Sequence, residues 1–433
     1  MANDGLASKP RSTLTREQIT GFWGAWTGWT LDGMDSVIYA LVLSPALTEL
    51  LPKSGIKATP MNVGFAGSML FGLFLVGWGL SLIWGPIADR FGRTRVLAAT
   101  IFMYAIFTGA AALAQTVWQL GAFRLLAGIG IGGEWALAGT YVAEAWPEDR
   151  RKMGAGYLQT GYYAGFFLAS VLNYTVAARF GWRAMFWCGM APVAVAIVVL
   201  LRVKEPERWK NTARHATKRK GGLATLRSIF ERPYRRRTLV NTVLLTAAIC
   251  GLWAGTVYAP TAILTLAKAF GFAQARAAQI ASAGMGLLSV GTILGCLMAP
   301  VLAERLGRKP TMAIYFAGMA VCIVASFGWA FYLPHGLYLF LAMLFFLGLF
   351  GGNFALFSLW LPEQYGTEVR VTAFAFTTSF GRFVAAGVNF ALGSLVVHMG
   401  TLGKPVALTA IAFGLGLLAI PFAMETRGEP LPD

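Results

Sequence analysis

Apolar runs of roughly 20 residues recur from one end of this chain to the other, the length at which a helix crosses the hydrocarbon core of a bilayer. No other feature restricts the fold so severely. Inside lipid every backbone polar group must be satisfied by the protein itself, so a spanning segment is a helix or a strand of a closed barrel. Barrel strands would read as alternating segments of about 10 residues, and these runs do not alternate. Charged residues make up only 13% of the chain, against about 25% in soluble proteins. That leaves too little polar surface for a water-facing globule.

The runs predict twelve spans, at about 20–46, 63–88, 95–114, 117–144, 153–177, 183–201, 239–267, 278–303, 310–332, 336–363, 370–398 and 405–424. An even number returns both termini to one side. Lysine and arginine accumulate on the cytoplasmic side of membrane proteins. With the N-terminus taken as cytoplasmic, the segments on that side hold 27 of these residues and the opposite loops hold 7. The formal charge of +17 is thus a topology signal, and nucleic acid is not an expected partner. The expectation is a multi-pass protein of the cell membrane, bacterial and cytoplasmic, with both termini inside.

The polar stretch 202–238 is the natural divide. It separates an N-terminal six-helix bundle (20–201) from a C-terminal one (239–425), with cytoplasmic tails at 1–19 and 426–433. Its many arginines and lysines place it to meet anionic headgroups. The two groups also repeat each other. IGGEWAL at 131–137, Glu144 and Arg151 return as FGGNFAL at 350–356, Glu363 and Arg370, at a constant offset of 219. DRFGR at 89–93 returns as ERLGR at 304–308. Parallel repeats of this kind are a transporter plan with the substrate site between the halves at mid-membrane.

GPIADRFGRTR (85–95) resembles the signature of the major facilitator superfamily, with Gly85, Asp89, Arg90, Gly92 and Arg93 in place and Thr94 where a second basic residue is common. Arg124 followed by GIGIGG (128–133) is similar to that superfamily's fourth span. LDGMD in span 1, GTYVAEAWPEDRR (139–151), FGWRAMFWCG (180–189) and LPEQYGTEVR (361–370) resemble the sialic-acid and monocarboxylate:proton symporter branch, itself related to the aromatic-acid:proton symporters. The resemblance implies an all-α membrane protein of twelve transmembrane helices in two pseudo-symmetric six-helix bundles, the major facilitator fold. It implies symport. Span 7 opens NTVLLTAAICGLW and lacks the polar string of the lactate permeases, so the particular acid stays open.

An ionised side chain at the bilayer centre is costly unless paired or hydrated. The intramembrane set is Asp32, Asp35, Arg124, Glu134 and Arg382. At about 1.5 Å per residue, Asp32, Asp35, Arg124 and Arg382 share one level near the midplane, and Glu134 lies nearer the cytoplasm. Asp32, Asp35, Ser36 and Tyr39 follow the spacing that puts side chains on one helical face. A static Asp35–Arg124 pair would need only one acid, and the second acid suggests exchange of a proton. The acids of the first repeat have no counterparts in the second: Asn353 answers Glu134. Arg382 in turn is answered by Tyr163 in the first repeat.

The expected function is proton-coupled import of an organic acid anion, a monocarboxylate or a sugar acid such as sialate, by alternating access. Asp32, Asp35 and Glu134 are the candidate proton-coupling groups. Arg382, Arg124, Tyr39, Gln159, Tyr163 and Asn353 are the candidate substrate contacts. Gly85, Asp89, Arg90, Gly92, Arg93, Glu144 and Arg151 are expected to gate the inner side. The alternatives are an aromatic-acid symporter, a sugar porter, or a membrane sensor that binds without turnover. The three histidines and four cysteines show no metal or nucleophile spacing. No enzyme activity, no metal and no cofactor beyond the proton gradient are expected, and the chain is expected to work as a monomer.

Overall fold

A computed structural model of the chain describes residues 12–202 and 222–432. Among these no strand occurs. Twelve long helical segments succeed one another: α1 (Arg16–Lys53), α2 (Pro60–Leu80, prolonged through a 3-10 turn and Trp84–Phe91), α3 (Arg93–Ala111), α4 (Val117–Ala145), α5 (Glu148–Leu172) and α6 (Trp182–Leu201), then α7 (Arg235–Ala269), α8 (Gln274–Leu306), α9 (Arg308–Tyr332), α10 (Leu337–Gln364), α11 (Arg370–Met399) and α12 (Gly403–Phe422). Among the described residues, eleven helices are long and apolar enough to cross a membrane. The other, α5, packs lengthwise on α1 and α8. Its lower apolarity comes from the charged run Glu148–Lys152 and from Gln159.

The ends differ from expectation where side chains extend a helix beyond the apolar run. Thr15 and Gln18 cap each other's backbone N–H groups and start α1 at Arg16, a capping box. At its other end α1 runs past 46 because Glu49 accepts from Lys53 (2.7 Å), Arg183 (2.7 Å) and Trp182 Nε1 (2.8 Å). In the stretch 202–238, residues 203–221 lie outside the described residues. Beyond them comes a short helix, Gly222–Ser228, and α7 begins at Arg235.

The packing of one repeat recurs in the other. In the first, α1 lies against α5, α2 against α4, α3 against α4 and α6; in the second, α7 lies against α11, α8 against α10, α9 against α10 and α12. The halves meet along two seams, α2 on α11 and α5 on α8. Close approach needs small residues. A Cβ added at Gly165 of α5 would strike the backbone oxygen of Thr30 in α1. The chain ends share one face, here the terminal face. Ser12 N donates to Asp149 Oδ2 (2.7 Å), and Leu431 N donates to the adjacent Glu148 (3.2 Å).

The glycines of the repeated DRFGR and ERLGR motifs have a physical reason. Gly92 (φ 109°, ψ 153°) and Gly307 (φ 103°, ψ 166°) turn the chain between α2 and α3 and between α8 and α9. Only glycine occupies that region readily, at a cost of order 1–3 kcal/mol for other residues. Gly92→Ala and Gly307→Ala are each expected to destabilise the purified protein by about that amount in thermal unfolding. Gly139→Ala, whose added Cβ meets nothing within 4 Å, is expected to be neutral or slightly stabilising.

Candidate functional site

The five intramembrane charges are buried together. Asp32, Asp35, Arg124 and Glu134 are 0% exposed and Arg382 is 3% exposed. Asp32 lies in electrostatic range of Glu134, Asp35, Arg382 and Arg124. In the first repeat α1 and α4 contribute the acids and one cation, and α11 of the second repeat contributes Arg382.

Arg124 and Asp35 form the one ion pair within this set. Arg124 Nη1 lies 3.4 Å from each Asp35 oxygen, and the guanidinium stacks 4.4 Å from the Phe74 ring centre and 4.9 Å from that of Tyr39. Its Nε and Nη2 have no partner. Asp32 and Glu134 differ: neither carboxylate finds a hydrogen bond on either oxygen. The Glu134 carboxylate packs against Gly28 of α1, where any side chain would collide with it. Buried polar groups are usually bonded, so these two carboxylates stand out.

Arg382 reaches across the α2–α11 seam into the first repeat. Its guanidinium sits 4.0 Å over Trp78 of α2 and 5.7 Å from Trp135 of α4. Its Nε is unpartnered, and no ion pair joins it to Asp32 among the described residues. Cation–π contact holds the charge without neutralising it. Around it the rings are continuous. Trp78 packs on Trp253 (5.7 Å), Trp135 on Phe374 (5.0 Å), and Trp29 stacks on Trp135 (6.1 Å) and Tyr162 (4.6 Å).

The candidate substrate contacts divide into two kinds. Tyr39 donates to Gly67 O (3.3 Å), Tyr163 to Gly351 O across the seam (3.4 Å), and Gln159 accepts from Ser358 (3.3 Å). Ser36 bonds back to Asp32 O (3.1 Å). Asn353 donates to Phe350 O (3.0 Å) and keeps an unbonded Oδ1. The structure therefore places Arg382 and Asn353 with open capacity, and ties Tyr39, Gln159 and Tyr163 to neighbouring helices.

Bonds join the repeats on both sides of the cluster. Toward the terminal face, Trp135 Nε1 donates to Ser358 Oγ (3.0 Å). Further out, Glu144 meets Arg370 (3.5 Å) and Lys152 meets Glu304 (3.0 Å), both between the repeats. Arg151 pairs with Glu148 (2.7 Å). Gly85 faces Ala375 and Thr372 at the start of α11. The side chains of Asp89, Arg90 and Arg93 lie outside the described residues. Toward the opposite face, Ser68 bonds Tyr258 (2.9 Å) and Asn173 donates to Ser282 (3.1 Å).

The tryptophans around Arg382 are not among the expected site residues. Trp78, Trp135 and Trp253 are buried inside spans, whereas membrane tryptophans concentrate at the interfaces. That misplacement was the available signal.

The family model of the Major Facilitator Superfamily matches residues 25–388. The chain belongs to the major facilitator superfamily. Among its relatives is the "Probable 4-methylmuconolactone transporter" of Cupriavidus pinatubonensis, 28% identical over 95% of this chain and 92% of the relative. Another is the "Cis,cis-muconate transport protein" of Acinetobacter baylyi, 26% identical over 94% and 95%. The solved structure of the proton:xylose symporter XylE superposes with a TM-score of 0.75, covering 96% of this chain and 98% of that one at 20% identity, a likeness of fold. The relatives are transporters rather than enzymes.

The Arg124–Asp35 pair in this facilitator sets up a double-mutant test. Breaking one side of a buried pair typically costs about 3–5 kcal/mol. Arg124→Ala is expected to lower the melting temperature of the purified protein sharply. Arg124→Ala with Asp35→Asn is expected to recover much of that loss, since the carboxylate at position 35 is then not left without its cation. Additive losses would show that the two side chains are energetically independent.

Proposed function

We propose that this chain imports a small organic acid anion with a proton, by alternating access, with both termini in the cytoplasm of a bacterial cell. The observation that carries the reading is the split between the repeats. Asp32 and Glu134 are buried and unpartnered in the first, and Arg382 is buried and unneutralised in the second.

Each group has a task in that reading. Asp32 takes the transported proton. Glu134, on α4, is a second proton station. Asp35 stays paired with Arg124 and holds α1 to α4. Arg382 anchors the substrate carboxylate through charge-assisted hydrogen bonds, and Asn353 Oδ1, unbonded in the structure, accepts from a second, protonated carboxyl where the substrate has one. A free charge resists burial in a closing site. Protonation of Asp32 and docking of one carboxylate on Arg382 remove both side-chain charges at once, and a dicarboxylate enters with its second carboxyl protonated, so the loaded cavity closes and the half-loaded one does not. The terminal face then opens as Glu144–Arg370 and Lys152–Glu304 separate.

The lining favours a flat, conjugated acid over a sugar acid. Trp78 and Trp135 flank Arg382 and present flat aromatic faces beside it. The muconate and muconolactone names of the relatives agree with this preference.

Uptake of labelled cis,cis-muconate into proteoliposomes under an inward proton gradient tests the assignment, with sialate, benzoate and xylose as competitors. Wild type is expected to accumulate the label, with benzoate competing best. Asp32→Asn is expected to lose accumulation and keep exchange of internal for external substrate. Arg382→Gln is expected to weaken binding by about tenfold or more, the worth of one charged hydrogen bond of about 1.5–3 kcal/mol. Competition by xylose without competition by any carboxylate would exclude the Arg382 anchor. Binding without exchange in wild type would point to a sensor.

A further inference from the structure

Three arginines around the start of α7 face outward with no acid paired to them. Arg232, Arg235 and Arg236 are exposed, and none forms an ion pair among the described residues. Their neighbour Arg237 turns inward and donates to Gln364 O (2.7 Å). With Leu239, Val240 and Phe422 the three line an open pocket of about 410 Å³. Leu239 is 50% exposed, Val243 47% and Phe422 61%.

The order of chemistry along this face matters. Positions 235, 236, 239 and 243 fall at the three- and four-residue spacing that shares one side of a helix, and Arg232 precedes them in the turn that leads into α7. The cations come first, at the terminal face. The bare apolar side chains come next, along the part of α7 that enters the apolar span. Phe422 supplies the second wall from the end of α12. A free inorganic anion would use the arginines and leave the apolar half unused. A molecule with a phosphate head and hydrocarbon tails matches both halves, in the same order and at the depth where a membrane holds them.

We propose that this pocket binds one anionic phospholipid, its phosphate among Arg232, Arg235 and Arg236 and an acyl chain along Leu239, Val243 and Phe422. The site lies outside the transport pathway and does not depend on the substrate assignment. Bound there, the lipid touches α7 and the end of α12 and screens three like charges from one another.

Native mass spectrometry of the detergent-purified protein, supplemented with equal phosphatidylglycerol and phosphatidylcholine, reads the site directly. Wild type is expected to retain one phosphatidylglycerol with at least about tenfold preference. A variant carrying Arg232→Gln, Arg235→Gln and Arg236→Gln is expected to lose that preference while keeping the wild-type melting temperature in phosphatidylcholine. Phe422→Ala, which leaves every charge in place, is expected to reduce retention several-fold. Equal retention of both lipids by wild type, or undiminished preference in the triple variant, would overturn the proposal. So would displacement of the lipid by millimolar glycerol phosphate, since that identifies a free-anion site. If the triple variant fails to fold, the wild-type lipid competition and Phe422→Ala decide the matter.

Discussion

Burying a net-charged side chain in a chain that crosses lipid is the constraint on which the rest of this structure turns. One cation and one acid satisfy it locally: Arg124 and Asp35, at 3.4 Å, between two aromatic rings. Asp32 and Glu134 remain unbonded, and Arg382 rests on tryptophan. A chain selected only for stability would replace them with apolar residues, because such sites gain from hydrophobic substitution. Their retention makes sense if their charges change as the protein works.

The architecture puts that chemistry where a rearrangement reaches it. The charged cluster sits between the repeats, and Arg382 crosses the seam to lie on α2 and α4. Moving one repeat against the other therefore changes the surroundings of Arg382 and of Asp32 together. Among the described residues, polar bonds join the repeats at either face. Glu144–Arg370 and Lys152–Glu304 lie at one, Ser68–Tyr258 and Asn173–Ser282 at the other. Within a repeat the packing is apolar and close, as where Gly165 lets α5 touch the backbone of α1. Closely packed halves with polar closures at both faces suit a rocking motion.

Much of this was legible in the residues. Apolar run length located the helices to within about seven positions at their ends, because lipid thickness leaves little choice. The ends were less readable, since caps such as Thr15–Gln18 and the Glu49 cluster depend on polar partners that periodicity does not see. The repeat offset found Glu144, Glu363 and Arg370. It missed that Glu144 pairs with Arg370 of the other repeat, while Glu363 pairs with Arg308 of its own (2.8 Å). Helical depth brought Asp32, Asp35, Arg124 and Arg382 to one level. It offered a static Asp35–Arg124 pair as the alternative to proton exchange, and the structure shows that pair while Asp32, one turn away, stays unbonded. It could not show that Tyr39 and Tyr163 spend their hydroxyls on neighbouring backbone.

The most direct test of the central claim, that Asp32 carries the proton moved with the substrate, is substrate-induced proton uptake. Proteoliposomes in a weakly buffered medium would receive a pulse of cis,cis-muconate while external pH is recorded. The medium should turn alkaline with wild type, and stay unchanged with Asp32→Asn although labelled substrate still exchanges. Undiminished alkalinisation by the Asp32→Asn protein would contradict the claim and move the proton to another group.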